Sequence, residues 1–314
     1  MIIEHHLSYL VRNIPIWSHM SFRIWFVLLS VMVFYICLVS IAFGDRGGEE
    51  SGEKVSRLIS SASGFVTPSG DVRPIANTSY KDAIPNLWLK NPQKSTVIIY
   101  SHGTTDSWYK ENCGLFYNAV PDTLLSLEKS KNTYIYYLCS KVKGKRGDQT
   151  CPYIYERANE ITEVLDQLLA LGVVSGNLFL AGHSAGGWSS LMAMETVGQK
   201  FNAAIVFAPA FGGKRSQQHP CRTDERPRVV RELSEFLRIE ALVFAYEKDP
   251  YNRLQELEFL VKAFPDSVQI IQSACNLGIV KTDHLTHLYD CRAVETARLI
   301  QEYVKDRRMF SARQ

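Results

Sequence analysis

The chain has 314 residues, 46% of them hydrophobic and 21% charged, an apolar content that supports a packed core and excludes a disordered polymer. Lysine and arginine exceed aspartate and glutamate by only 3, so there is no strong basic field to recruit nucleic acid. In chain order, the first feature departs from that average. From Ile24 to Phe43 no residue is charged and only Ser30 and Ser40 are plainly polar. As a helix at ~1.5 Å per residue this run is about 30 Å long, the thickness of a bilayer core. The reading preferred here is a transmembrane signal anchor over residues 24–43; the alternative is a signal peptide cleaved near Gly44, at Ala42-Phe43-Gly44. Arg12 and Arg23 precede the run, whereas Asp45, Glu49, Glu50 and Glu53 follow it. The positive-inside rule therefore makes residues 1–23 a cytoplasmic segment and puts the rest of the chain outside, or secretes it if the signal is cleaved.

Residues 44–56, rich in Gly, Glu and Ser, read as a flexible linker. Residues 57–314 then form one mixed domain. Leu58–Phe65 and the stretch around Leu87-Trp88-Leu89 read as edge strands, broken by Pro68 and Pro74. Short apolar strands follow at Val97–Tyr100, Thr133–Leu138, Leu178–Ala181, Ala203–Ala208, Ala241–Tyr246 and Val268–Gln272. Helical spacing is read over the later part of Tyr109–Leu127, and over Tyr155–Leu171, Trp188–Val197, Leu254–Phe264 and Ala293–Val304. Apolar strands alternating with helices predict an α/β protein: a mostly parallel sheet of about six strands after an antiparallel start, with helices on both faces.

Six cysteines lie beyond the apolar run: Cys113, Cys139, Cys151, Cys221, Cys275 and Cys291. None has zinc-ribbon spacing. In an exported domain they permit three disulfides, and Cys139–Cys151 and Cys275–Cys291 are the favoured pairs because each closes a short loop; buried free thiols are the alternative.

The chemistry starts at Gly182-His183-Ser184-Ala185-Gly186, a G-x-S-x-G run between a predicted strand and a predicted helix. Such a turn lifts a serine hydroxyl above a sheet, and its glycines let the chain pass closely. The Ala185 N–H, at a helix N-terminus, suits an oxyanion. The sequence here resembles the α/β-hydrolase superfamily, in particular its compact esterases and dienelactone-hydrolase-like members. The resemblance spans roughly residues 60–308 and includes Tyr100-Ser101-His102-Gly103 after the first parallel strand. It implies an α/β-hydrolase fold and a serine hydrolase that needs no cofactor and no metal. It makes Thr104 the second oxyanion-hole donor beside Ala185, with Thr105 the alternative; His102 is read as shaping this loop, in preference to a proton-transfer role.

The resemblance also sets a chain order of serine, acid, histidine. Asp249, in Glu247-Lys248-Asp249-Pro250 after the strand Leu242–Tyr246, is the preferred acid and Glu247 the runner-up; Tyr246 stands where the family often has glycine. His284, in Asp283-His284-Leu285-Thr286-His287, is the preferred base and His287 the alternative; Asp283 replaces the usual glycine. A metal set of Asp283, His284, His287 and Asp290 is disfavoured, because the serine site already uses one histidine. His183 packs within the turn. Trp188, Trp108, Tyr109 and Phe211 fall on segments that end near the site and are candidate pocket residues, or else ordinary core aromatics. The basic run Lys141–Arg146 and the sequon Asn77-Thr78-Ser79 read as a solvated loop and a conditional glycosylation site. P-loop, H-E-x-x-H and dinucleotide motifs are absent from the sequence.

The expected activity is hydrolysis of a carboxylic ester, or a related acyl bond, through a Ser184-His284-Asp249 triad. Peptide cleavage or acyl transfer on the same triad, or a non-catalytic binding role, are the alternatives. The expected partners are a small-molecule ester or amide and, through the N-terminal helix, a membrane. The short connection between the strands at 203–208 and 241–246 leaves room for only a small lid, which by analogy disfavours large insoluble lipids.

Overall fold

The computed structural model describes residues 62–66, 72–74, 89, 91–104, 113, 115–142, 151, 153–197, 199–273, 283–289 and 292–312, within the compact unit Ser56–Gln314. The apolar run at 24–43, the linker, the sequon, Thr105, Trp108, Tyr109 and most of the basic run lie outside the described residues. No helix among the described residues is long and apolar enough to cross a membrane.

Eight strands form one sheet: β1 (Gly64–Val66), β2 (Val72–Pro74), β3 (Thr96–Ser101), β4 (Thr133–Leu138), β5 (Leu178–His183), β6 (Ala203–Phe207), β7 (Ala241–Tyr246) and β8 (Val268–Ser273). Their order is β2-β1-β4-β3-β5-β6-β7-β8. The pairs from β4 through β8 are parallel, and β1 runs antiparallel to both β2 and β4. Six parallel strands after an antiparallel start match the reading from the sequence. The edge pairing differs. β2 ends on Pro74, which an outermost strand tolerates because it needs no ladder donor there. Leu89 is buried but extends no strand, and Leu87 and Trp88 lie outside the described residues.

The helices are α1 (Tyr153–Ala170), α2 (Ala185–Val197), α3 (Arg226–Ser234), α4 (Leu254–Ala263) and α5 (Ala293–Ser311). Alternating residues of β3 face two different cores: Val97 and Ile99 one, Ile98 and Tyr100 the other. The first core takes Ile161 of α1, Leu191 of α2, Val229 of α3 and Leu257 of α4. The second takes Ile300 of α5 and Leu124 from the helical turns at Asp122–Leu125 and Ser126–Lys129. A sheet covered on both faces needs such apolar strands. The helix α3 is absent from the sequence reading. Its segment, Arg-Pro-Arg-Val-Val-Arg-Glu-Leu-Ser, is short, carries a proline in its first turn and buries Val229 and Leu233.

Two disulfides join Cys113 to Cys139 and Cys151 to Cys221, with Cα atoms 5.5 and 5.2 Å apart. The expected Cys139–Cys151 pair is thereby corrected. Pairing follows which loops meet at the sheet's carboxyl edge, not which cysteines are close in sequence: β3 and β4 are neighbours, so the loops after them meet. Cys275 and Cys291 lie outside the described residues.

Candidate active site

The chain leaves β3 toward β4 on one side and returns through β5 to build β6, β7 and β8 on the other. A crevice at the carboxyl ends of β3 and β5 follows from that reversal, and it is where open α/β sheets bind ligands. Ser184 stands there, one residue beyond β5. Its φ is +54°, a left-handed conformation that costs a serine energy and that the surroundings hold in place. Its N–H donates to the Phe207 carbonyl at 3.0 Å, and its own carbonyl accepts from Trp188 and Ala210, each at 3.0 Å.

The flanking glycines are required by contact. A Cβ on Gly182 would lie 2.5 Å from the Gly186 backbone, and one on Gly186 would strike the carbonyl oxygens of Ser101 and His102. The first turn of α2 is therefore pressed onto the loop after β3. On the other side, a Cβ on Gly103 would meet the Ser184 Cβ at 3.4 Å and the His183 ring at 2.9 Å. The loop carrying Thr104 thus runs directly beside the serine.

That loop is held from beneath. The Ser140 N–H donates to His102 Nε2 at 3.1 Å, so this nitrogen carries a lone pair, and the proton sits on Nδ1, which donates to the Gly103 carbonyl at 2.6 Å. Burial, then the Arg157 charge, lowers the His102 pKa well below 6.5, which keeps the ring neutral as those bonds require. Arg157, itself buried, donates to the His102 carbonyl at 2.6 Å. In the trans peptide joining Gly103 to Thr104, the Thr104 N–H is anti to the Gly103 carbonyl and so faces away from His102. The Ala185 N–H, first in α2, has no partner within the helix. His102 is thus a loop-shaping residue, as the sequence suggested. Arg157 was missed, although a charge four residues before Ile161, on the apolar stripe of α1, was a visible signal.

Asp249 and His284, the preferred acid and base of the sequence reading, converge on Ser184. His284 Nε2 lies 3.0 Å from Ser184 Oγ, and its Nδ1 lies 2.8 Å from Asp249 Oδ2. Asp249 is fully buried; its Oδ1 accepts from the N–H groups of Tyr251 and Asn252 at 2.6 and 3.3 Å. Those bonds compensate the desolvated carboxylate. Glu247, the runner-up acid, is exposed. Asp283, which stands where the family has glycine, accepts from the Lys248 N–H at 2.8 Å and ties the base's segment to the acid's turn.

His287, the alternative base, packs on the serine turn. Its ring stacks on His183 at 3.8 Å with a 20° tilt, and His183 Nε2 lies 2.8 Å from the His284 carbonyl. Burial, then the neighbouring His287 and His284, pushes the His183 pKa well below 6.5. The neutral His183 ring donates to the backbone of the base.

Trp188 and Phe211, candidate pocket residues in the sequence reading, are core side chains, 0% and 3% exposed. They pack on each other at 5.1 Å, and Arg226 lies over the indole at 5.4 Å. Phe259 of α4 also packs on the indole, at 6.2 Å, so the Trp188 side chain is enclosed. Two tyrosines that the sequence reading passed over stand at the site. The Tyr251 ring lies 4.2 Å from that of His284. Burial raises the Tyr153 pKa, and Thr104, then the Arg157 charge and the Gly212 backbone, draw it back. Among the described residues, one cluster has metal-donor spacing: His102, Cys113 and Cys139. Both its thiols are spent in a disulfide and its imidazole lone pair is taken by Ser140.

No family model and no curated protein matches the chain. Among solved structures it is similar to a thermophilic esterase, Est2, of the Planctomycetes species Thermogutta terrifontis with propionate bound (15% identity, covering 68% of this chain and 84% of that one, TM-score 0.45). It is also similar to Est1E from Butyrivibrio proteoclasticus with ferulic acid bound (17%, 69% and 91%, TM-score 0.47). A third is DcsB in complex with its substrate analogue (14%, 68% and 91%, TM-score 0.49). The chain's own sheet order and its strained serine between β5 and α2, with Asp249 after β7 and His284 after β8, fit an α/β-hydrolase fold.

Proposed function

We propose that the protein is a serine hydrolase that cleaves a small carboxylic ester, or a related acyl bond, through an acyl-enzyme. The observation that carries this reading is the continuous hydrogen-bonded line from Asp249 through His284 to Ser184, at 2.8 and 3.0 Å. Ser184 Oγ attacks the carbonyl carbon while its proton passes to His284 Nε2. The N–H groups of Ala185 and Thr104 receive the developing oxyanion, a contribution of about 3–4 kcal/mol per donor. Asp249 steadies the imidazolium and keeps the proton on Nδ1. His284 then protonates the leaving group, and a water molecule, deprotonated by the same imidazole, releases the acyl group.

We also propose that the reaction takes place outside the cytoplasm, with residues 24–43 as the anchor and 44–56 as a tether. Two disulfides support that compartment, because reducing cytosol disfavours them.

A fluorophosphonate probe tests the hydrolase reading. It is expected to label the folded protein, and Ser184→Ala is expected to abolish both labelling and turnover of p-nitrophenyl acetate. His284→Ala is expected to abolish turnover, and His287→Ala to leave it in the folded fraction. An unlabelled, folded, disulfide-intact wild type would overturn the reading. Loss of turnover only in His287→Ala would overturn the assignment of the base.

A further inference from the structure

The hydrogen bonds of the acid continue beyond Asp249. Asn252, fully buried, donates its backbone N–H to Asp249 Oδ1 at 3.3 Å and its side-chain Nδ2 to the Pro209 carbonyl at 2.8 Å. The next residue, Ala210, donates to the Ser184 carbonyl at 3.0 Å. These bonds close a ring: Ser184, Ala210, Pro209, Asn252, Asp249, His284 and back to Ser184 through 3.0 Å. The ring exists only while the Asn252 amide points its nitrogen at Pro209. Arg226 sets that orientation. Its Nη2 donates to Asn252 Oδ1 at 3.2 Å, which makes that atom the amide oxygen, and to the Glu256 carbonyl at 2.9 Å. Its guanidinium is itself held over Trp188, four residues beyond the serine.

We infer that Arg226, acting through the Asn252 side chain, is a positioning residue for Asp249 and hence for His284. The inference rests on the serine-hydrolase reading. Arg226 touches neither the reacting atoms nor the triad. It fixes which way one buried amide faces, and that amide couples the acid's turn to the loop that holds the serine. Other charged and titratable groups face the same region. Arg215 donates to the Asp249 carbonyl at 3.3 Å and lies 3.8 Å from the Glu256 carboxylate, and Arg222 is within electrostatic reach of Asp249. On the base's side stand His183, His287, Tyr251 and Asp283. All of these remain when Arg226 is changed, but its bond to the Glu256 carbonyl and its contact over Trp188 are lost as well, so the double variant with Asn252→Ala isolates the part that acts through Asn252.

The test compares Arg226→Gln and Arg226→Lys with wild type on p-nitrophenyl acetate across pH, with folding monitored by circular dichroism. Arg226→Gln is expected to lower kcat about 10-fold at an unchanged KM, the signature of a misplaced catalytic group rather than lost binding. The acid limb of its kcat/KM profile is expected to move to lower pH, because a less well placed carboxylate stabilises the imidazolium less. Arg226→Lys, which keeps the charge and one donor, is expected to fall between the two. Adding Asn252→Ala to Arg226→Gln is expected to cost little more than Asn252→Ala alone. A folded Arg226→Gln with wild-type kcat and acid limb, or one that raises only KM, overturns the inference. If that variant fails to fold, Arg226→Lys carries the test: an intermediate kcat supports the inference and a wild-type kcat and limb overturn it. Wild-type protein without turnover or probe labelling would instead overturn the hydrolase reading itself.

Discussion

Replacing Asp249 by Asn is the sharpest test of the site, because the surrounding hydrogen bonds dictate how the new side chain must sit. Oδ1 of Asp249 faces two backbone N–H donors, from Tyr251 at 2.6 Å and Asn252 at 3.3 Å. In Asp249→Asn, the amide oxygen must take that position, since an NH2 group there would oppose two buried donors. The amide nitrogen then occupies the place of Oδ2, 2.8 Å from His284 Nδ1. A donor there forces His284 to present the Nδ1 lone pair, so its proton moves to Nε2, the atom 3.0 Å from Ser184 Oγ. The imidazole can no longer accept the serine proton. Tautomer reversal of this kind costs about 10⁴ in kcat, or about 5.5 kcal/mol of barrier. Stability is expected to change little, because the pocket keeps its shape and its acceptor for both N–H groups. The assay is kcat on a chromogenic short-chain ester, with denaturant unfolding measured in parallel. A folded Asp249→Asn protein that keeps a tenth or more of the wild-type kcat would refute the reasoning. So would a larger loss in Glu247→Gln.

Two further outcomes follow from burial and cross-linking. His102 and His183 have pKa values pushed well below the ordinary 6.5, by burial first and then by Arg157 and by His287 respectively. The unfolded chain takes up protons below pH 6.5 where the folded protein does not, so stability is full above that pH and falls as pH drops from there toward the folded values. The urea midpoint is expected to be lower at about pH 5 than at about pH 7.5, with a shallower slope in His183→Gln; a flat or inverted dependence would contradict the burial of neutral rings. The Cys151–Cys221 disulfide closes a loop with a sequence separation of 70, which in the chain-entropy treatment is worth roughly 4 kcal/mol. Cys151→Ser with Cys221→Ser is expected to lower the midpoint accordingly, and an unchanged midpoint would show that the cross-link restrains little in the unfolded chain.

The parts of the molecule legible in its sequence are those governed by local rules. The apolar runs at Val97–Tyr100 and Ala241–Tyr246 announce buried parallel strands because little else accommodates four to six consecutive apolar residues between turns. The run Gly182–Gly186 announces a serine turn because two close backbone approaches exclude every larger residue at its ends. Asp249 and His284 follow from their places after β7 and β8. What stayed hidden depends on contacts between distant segments. Cys113 pairs with Cys139 because β3 lies beside β4, which loop length does not encode. Trp188 is buried because Phe211, Phe259 and Arg226, from three distant segments, pack around it. Arg157, Asn252 and Arg226 serve the site through backbone carbonyls and an amide, and no short motif records such partners.

The two disulfides stand at one edge of the sheet, and a cluster of buried and half-buried ion pairs stands at the other. Cys113, Cys139, Cys151 and Cys221 all lie on loops at the edge of the sheet that carries Ser184. At the opposite edge, Arg307 pairs with Glu240 at 2.7 Å, Arg238 joins the same carboxylate, and Arg308 donates to Asn177 at 2.8 Å. Thiol reductants act on the rim of the site and leave the far edge alone, whereas salt screens exposed charges at both, Arg238 at the far edge and Arg228 on the helix after Cys221 among them. Of the two kinds of restraint, only the covalent one is confined to the loops around Ser184.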